Sequence, residues 1–165
     1  TQASSSAASD VYKRQSPDGI AILNRDDEFF DNLAACASAA GITRITTFGI
    51  HEQANYRLVS TTAVAAGQQI AARLGDRDVE FILGMRSAHW AQNAMAVLAI
   101  IDALGLDAAE SANNLYNFND LPGRGAMSTG RFAKLGITLI DDSYNAGPRS
   151  MQAALASLHL SLIHI

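Results

Sequence analysis

Cysteine, proline, tryptophan and clustered basic residues are all scarce in this chain of 165 residues. The single cysteine, Cys36, excludes a disulfide framework and predicts a reducing, cytoplasmic location. The formal net charge is −4 and Lys and Arg form no blocks, which argues against nucleic acid or a membrane as a partner. No apolar run is long enough to cross a bilayer. These absences favour a globular chain with small-molecule ligands, in which Cys36 is predicted to pack as a small buried thiol.

The two ends of the chain are related at the level of DNA. One back-translation of residues 10–15, DVYKRQ, has a reverse complement that encodes LSLIHI, the sequence of residues 160–165. The pair resembles the inverted transposon ends used to build sequencing libraries. We therefore predict that residues 1–15 and 160–165 are adapter-derived and do not belong to the native fold. This interpretation predicts a gene fragment whose native part is 16–159.

Hydrophobic periodicity in the native part alternates between that of strands and that of helices, which predicts an α/β fold. Apolar and β-branched runs predict five strands between residues 16 and 122: 20–24, 45–49, 56–62, 68–74 and 79–85. The last two predicted strands are separated by Gly75 and Asp76, so we expect the sheet to end in an antiparallel excursion.

Three helices are predicted between residues 16 and 122, and two of them lie towards the ends of that range. The first covers 28–40, with Asp26 or Asp27 as its N-cap and Gly41 as its terminator. The other covers 108–116 and leads towards a Pro-Gly pair.

The longest predicted helix covers 90–104 and stops at Gly105. Its larger apolar residues recur at helical spacing, so we expect them to face the core as one stripe. The stripe consists of Trp90, Ala94, Val97, Leu98, Ile101 and Leu104.

The Pro-Gly pair at 122–123 is the best candidate for a domain boundary. It divides the native part into 16–122 and 123–159. In the second part, the apolar run 137–141 predicts a short buried strand, and a helix opened by Pro148 is expected to follow. The order of strand, polar loop and helix is the one in which α/β proteins place ligands at the carboxyl ends of strands.

Three polar positions stand out on this scaffold. Asn93, near the start of the long helix, can offer its amide to the edge of an adenine, or it can serve as a first-turn cap. Arg124 lies between two glycines that permit close approach, so it suits a phosphate or carboxylate, unless it is an ordinary exposed arginine. In the last loop, Asp142 suits the two hydroxyls of a ribose, unless the loop is only a generic turn. Asp141 is interpreted as a strand-end turn former.

Taken in order, these stretches resemble one family, the Mur ligases. HWAQNAMAVLAI (89–100) resembles the family's His-x-x-x-Asn-Ala helix, and PGR resembles its interdomain Gly-Arg. DDSYNAGPRSMQAAL (141–155) resembles the Asp-Asp/Glu-Ser-Tyr-Asn-Ala-Asn-Pro loop of the branch that accepts D-alanyl-D-alanine. GIAILNRDDEFF and ITTFG resemble earlier segments of the same branch, so the match spans nearly all of residues 18–158. Two positions depart from the family pattern. Gly147 stands where members usually have Asn, and Trp90 stands where many members have a second Asn.

The resemblance implies an ATP-dependent amide ligase of peptidoglycan precursor synthesis. Its fold would be the C-terminal part of a central ATP-binding domain, followed by the start of a Rossmann-like C-terminal domain. Such enzymes activate a carboxylate as an acyl phosphate, which an amine then attacks. The implied partners are ATP, UDP-N-acetylmuramoyl-tripeptide and D-alanyl-D-alanine, with Mg²⁺ as the metal and a monomeric parent enzyme.

The resemblance also assigns nucleotide roles to four residues. Asn93 would hold the adenine, Arg124 would brace the nucleotide at the hinge, Asp142 would bind the ribose, and Asn145 is a further candidate for the same nucleotide. ATP would lie between the two domains.

Much of the family's machinery is missing from this sequence. It contains no G-x-x-x-x-G-K-[ST] phosphate loop. The resemblance places the Mg²⁺ ligands and a carbamylated lysine upstream of Ser16, and most of the acceptor site beyond His159. The fragment is therefore predicted to be inactive, with no catalytic residue or metal site of its own.

Two alternatives remain open. One is a different Mur ligase or a folylpolyglutamate synthase-like enzyme, against which the Ser-Tyr-Asn after Asp142 stands. The other is a module that binds a nucleotide without chemistry.

Overall fold

The computed structural model describes residues 18–87, 89–119, 121–124, 126–132, 135–141, 143–144, 147, 151–152 and 155. The predicted adapter-derived ends lie outside this part, as do Asp142 and Asn145. The helix expected after Pro148 is also largely outside it, although Met151, Gln152 and Leu155 are helical. None of the described helices is long and apolar enough to span a membrane.

A five-stranded sheet forms the larger part of the described structure. Its strands follow one another in chain order, with β1 parallel to β2 and β2 parallel to β3. The pairs β3–β4 and β4–β5 are antiparallel, which confirms the predicted excursion and the α/β class. The strands are β1 (Ile20–Asn24), β2 (Arg44–Gly49), β3 (Tyr56–Val64), β4 (Gly67–Leu74) and β5 (Arg77–Leu83).

Helix α1 (Phe30–Ala39) follows β1, but the predicted cap is wrong. The residue before the helix is Phe29, and no side chain caps it. Asp27 instead accepts a hydrogen bond from the Phe29 N–H at 2.9 Å, in a turn that precedes the helix. The helix ends as predicted at Gly41, whose φ of 85° is readily adopted by glycine.

The prediction that Cys36 is packed inside is also wrong, because Cys36 is exposed. Only Ala37 among the residues of α1 is buried. Neighbouring positions on a helix point about 100° apart, so a buried residue 37 turns residue 36 towards solvent.

Helix α2 (His89–Ala103) packs on the sheet and completes the core. Alternate residues of β4 are buried, as the two-residue period of a strand requires, and Leu58 of β3 and Phe81 and Leu83 of β5 belong to the same core. The fully buried large side chains are Ile42, Ile70, Met95 and Leu98.

The predicted stripe on α2 is only partly right. Ala94 and Leu98 are buried, but Val97 is 43% exposed and Leu104 is 72% exposed. The helix is apolar nearly all round, so the period alone does not fix which side faces inward. The side that packs on the sheet consists of three alanines, a methionine and a leucine: Ala91, Ala94, Met95, Leu98 and Ala99.

A short helix and a 3-10 turn occupy the region predicted as the third helix. Helix α3 (Ala108–Ala112) is capped by Asp107, which accepts hydrogen bonds from Ala109 N at 2.8 Å and Glu110 N at 3.1 Å. The chain then tightens into a 3-10 helix over Asn113–Asn117. The helical region is confirmed, with its second half in the tighter form.

Two further strands, β6 (Ala126–Phe132) and β7 (Leu135–Asp141), form a separate antiparallel pair. The run 137–141 is therefore a strand, as predicted, but it is not buried: Ile137 is 44% and Leu139 is 58% exposed. A two-stranded sheet has no second layer unless another element covers it, which is why an apolar run here stays at the surface. Strand β6 was not predicted. The domain boundary at 122–123 stays a prediction.

Candidate functional site

The Pro-Gly pair forms a tight turn that presents Arg124. The Arg124 N–H donates to the Leu121 carbonyl at 2.9 Å, with Pro122 and Gly123 between them. Proline at the second position and glycine with φ of 75° at the third are the pattern of a type II turn. Arg124 is exposed at the end of this turn.

The carboxylate of Asp141 ties this turn to the loop after β7. One oxygen accepts from the Gly123 N–H at 3.0 Å, and the other accepts from the N–H and the hydroxyl of Ser143 at 3.2 Å and 2.6 Å. The Tyr144 N–H donates in turn to the Gly123 carbonyl at 2.9 Å. We call this group of four residues, Gly123, Asp141, Ser143 and Tyr144, the Asp141 bracket.

The bracket depends on a charged Asp141. Hydrogen bonds from the Ser143 hydroxyl and N–H, and then from the Gly123 N–H, hold the pKa of the Asp141 carboxyl below its usual range. Asp141 is therefore anionic throughout the neutral range. It is a turn former, as interpreted from the sequence, and in addition it joins two segments that lie 18 residues apart.

Arg124 rests on an aromatic ring of the same loop. Its guanidinium carbon lies 3.9 Å from the centroid of the Tyr144 ring. A guanidinium over a ring at this distance is attracted by the ring's negative face. The structure thus brings Arg124 next to Tyr144 of the loop after β7, whereas the predicted ribose ligand Asp142 lies outside the described residues.

Asn93 lies elsewhere, one turn into α2, and is exposed. The residues before it, His89 and Trp90, have their rings 4.8 Å apart and tilted by 40°. The indole Nε1 of Trp90 is buried and has no hydrogen-bond partner among the described residues. No described contact joins Asn93 to Arg124, so the predicted adenine position and the bracket remain on separate elements.

A polar cleft of about 510 Å³ lies where the larger sheet meets the segment leading to β6. Gln68 supports one side of it, because its amide donates to the carbonyls of Met85 and Ser87 at 2.8 Å and 3.2 Å. Neither Asn93 nor Arg124 lines this cleft. The residues that do are Ala66, Gly84, Arg86, Tyr116, Asn117, Asn119 and Ala126.

Gly84 allows the segment 115–118 to approach the larger sheet closely. Its N–H donates to the Leu115 carbonyl at 3.2 Å. A side-chain carbon at this position would lie 2.1 Å from the Phe118 carbonyl oxygen and 2.6 Å from that of Tyr116. Only glycine therefore permits this backbone contact.

Sequence reasoning missed a second carboxylate anchor, Asp26. Its two oxygens accept from the N–H groups of Ile50 and His51 at 2.8 Å and 2.9 Å, which joins the loops that follow the parallel strands β1 and β2. Gly49, with φ of 143°, leaves the space for this carboxylate. The available signal was the Asp26-Asp27 pair after one strand and Gly49 at the end of the next. The Asp pair was interpreted as a helix cap.

The described residues include no group of three or more His, Cys, Asp or Glu side chains suited to a metal ion. The predicted Mg²⁺ ligands were expected upstream, and that expectation stays a prediction. No chemical step is therefore assigned to a metal on the residues of this chain.

Comparison with known proteins shows the family. The Mur ligase middle domain matches residues 3–101. The chain belongs to the Mur ligase family. The matched span includes part of the segment predicted to be adapter-derived, and the origin of that segment stays a prediction.

Individual Mur ligases match over most of the chain. UDP-N-acetylmuramoyl-tripeptide–D-alanyl-D-alanine ligase of Rickettsia prowazekii is 28% identical over 152 residues, which is 92% of this chain and 33% of that protein. UDP-N-acetylmuramate–L-alanine ligase of Streptomyces avermitilis is 28% identical over 140 residues, 85% of this chain and 29% of that protein. The crystal structure of MurF from Acinetobacter baumannii superimposes with a TM-score of 0.75 at 27% identity, covering 93% of this chain and 32% of MurF. This chain thus spans about a third of the length of its relatives.

Proposed function

We propose that this Mur ligase chain is part of an ATP-dependent ligase that joins D-alanyl-D-alanine to UDP-N-acetylmuramoyl-tripeptide through an acyl phosphate. The observation that carries the proposal is the sequence DDSYNA (141–146), in which Asp141 accepts a hydrogen bond from the turn that presents Arg124 and Tyr144 contacts the Arg124 guanidinium. This sequence is the one that resembles the D-alanyl-D-alanine branch. Similarity to the Rickettsia enzyme of that specificity supports the same assignment.

The proposed roles of the residues follow from their chemistry. The Asn93 amide offers the donor and acceptor pair that the edge of an adenine matches. Arg124, exposed and supported by Tyr144, offers a charged fork for a phosphate oxygen. Asp142 would bind the ribose, and Asn145 from the same loop is a further candidate for the same nucleotide.

Because Asn93 and the bracket lie on separate elements, ATP would be enclosed only when the two parts close on it. Closure aligns the acyl phosphate with the attacking amine and excludes the water that would hydrolyse the intermediate. We propose a monomeric cytoplasmic parent enzyme that uses Mg²⁺ with ATP.

The complete enzyme encoded by the uninterrupted gene tests the acceptor. With ATP and UDP-N-acetylmuramoyl-tripeptide, we expect phosphate release to depend on D-alanyl-D-alanine and not on L-alanine or D-glutamate. Turnover of UDP-N-acetylmuramate with L-alanine would instead establish the activity of the Streptomyces relative. ATP binding without turnover on any acceptor would favour the non-catalytic module.

Substitution of the two nucleotide residues tests the site. In the complete enzyme, Asn93→Ala should weaken ATP binding by ~1–3 kcal/mol, the scale of one bidentate adenine contact. Asp142→Ala should weaken binding of the same ligand, as measured by isothermal titration calorimetry.

Asn32→Ala is the matched control, because Asn32 is an exposed asparagine on a different helix, α1. It should leave the ATP affinity unchanged. Normal ATP affinity in both site variants, with only the affinity for D-alanyl-D-alanine altered, would contradict the assignment.

A further inference from the structure

We propose that Tyr144 is a positioning residue, which holds the Arg124 guanidinium in place for the nucleotide. The inference rests on the proposed function, because it takes ATP as the ligand of Arg124. The geometry behind it is the 3.9 Å stack of the Arg124 guanidinium over the Tyr144 ring.

The described contact of the Arg124 guanidinium is with the Tyr144 ring, and no described hydrogen bond or ion pair uses its N–H groups. A cation–π contact uses the flat face of the group, whereas hydrogen bonds to phosphate use the N–H groups in its plane. Tyr144 therefore supports Arg124 without competing for the donors that a phosphate needs. A carboxylate partner would occupy those donors.

Backbone contacts, and not packing, set where the Tyr144 side chain starts. Tyr144 is 69% exposed, so few side chains hold it. Its N–H is bonded to the Gly123 carbonyl, in the residue next to Arg124. A side-chain carbon at Gly123 would lie 3.2 Å from the Tyr144 Cβ, so the glycine allows this close approach.

Asp141 completes the arrangement from the other side of the turn. It accepts from the Gly123 N–H and from Ser143, the residue before Tyr144. The arginine and its aromatic support thus start from two backbone segments that are bonded to each other. Arg124, a long side chain with many rotamers, loses less freedom on binding when one rotamer is already favoured.

Substitutions in the complete enzyme test this role. Tyr144→Leu removes the ring while keeping an apolar side chain, and we expect the KM for ATP to rise about two- to five-fold, the scale of an exposed cation–π contact, with kcat nearly unchanged. Tyr144→Phe keeps the ring and should restore the wild-type KM. In an Arg124→Ala background, Tyr144→Leu should add no further loss.

The outcomes separate the two proposals. If Arg124→Ala weakens ATP binding but Tyr144→Leu does not, or if the two losses add in the double variant, the positioning role is wrong while the nucleotide role of Arg124 stands. If Tyr144→Phe is as defective as Tyr144→Leu, the hydroxyl and not the ring matters, and the inference also fails. If Arg124→Ala leaves ATP binding intact, the nucleotide role of Arg124 itself is refuted, and the positioning role with it.

Discussion

A polypeptide of residues 16–159 is expected to release no phosphate from ATP above a buffer blank, even with UDP-N-acetylmuramoyl-tripeptide and D-alanyl-D-alanine present. Phosphoryl transfer depends almost wholly on positioning and on neutralising charge with a phosphate cradle and Mg²⁺. The sequence contains no phosphate loop, and the described residues include no group of three or more His, Cys, Asp or Glu side chains suited to a metal ion. The proposed contacts of Asn93 with the adenine and of Arg124 with one phosphate oxygen would not by themselves stabilise the transferred phosphoryl group.

The complete enzyme from the uninterrupted gene is the positive control for this assay. The shorter polypeptide must also be shown to be folded, by circular dichroism, because β7 exposes apolar side chains and unpaired strand edges favour aggregation. Turnover by the folded shorter chain would show that the residues present here are sufficient for chemistry.

Leu98→Ala is expected to destabilise the chain by ~2–5 kcal/mol, whereas Val97→Ala should change its stability by about 0.5 kcal/mol or less. Leu98 has no exposed surface and lies in the core between α2 and the sheet, so truncation leaves a cavity. Val97 is the preceding residue of the same helix, but it is 43% exposed. The pair is matched, since each change removes an aliphatic side chain from the middle of α2.

Urea unfolding of the chain, followed by circular dichroism, measures both values. Equal losses at the two positions would mean that α2 is rotated relative to the orientation described, with the predicted stripe facing the core after all. A small loss at Leu98 alone would mean that the helix does not pack on the sheet.

The fold was predictable from the sequence wherever a strong period met a clear terminator. The strands of the larger sheet are apolar or β-branched runs, β4 with a two-residue period, and Gly41 and Gly105 end helices at the positions expected. The orientation of α2 was not predictable, because an all-round apolar helix gives no preferred side until the sheet supplies one. Cys36 was misplaced for the related reason that an alanine-rich helix has little contrast between its faces.

The nucleotide roles of the predicted site residues stay predictions, and the contacts around Arg124 were not predicted. Arg124 between glycines was singled out, and the structure presents it on a turn. The contacts that hold it, from Asp141 and Tyr144, join segments about 20 residues apart, and spacing along one sequence contains no signal for such pairs. Asp26 was assigned to a helix cap because local capping is the commoner use of Asp before a helix. Its true partners come from the loop after β2.

Trp90 gives this chain a built-in optical reporter. It is the only tryptophan in the sequence, and its ring is packed against the core and tilted against His89. All indole emission therefore originates within one helical turn of Asn93. An unlabelled sample can report on the start of α2 by itself, and a spectral change on adding nucleotide would show that the surroundings of this end of the helix change.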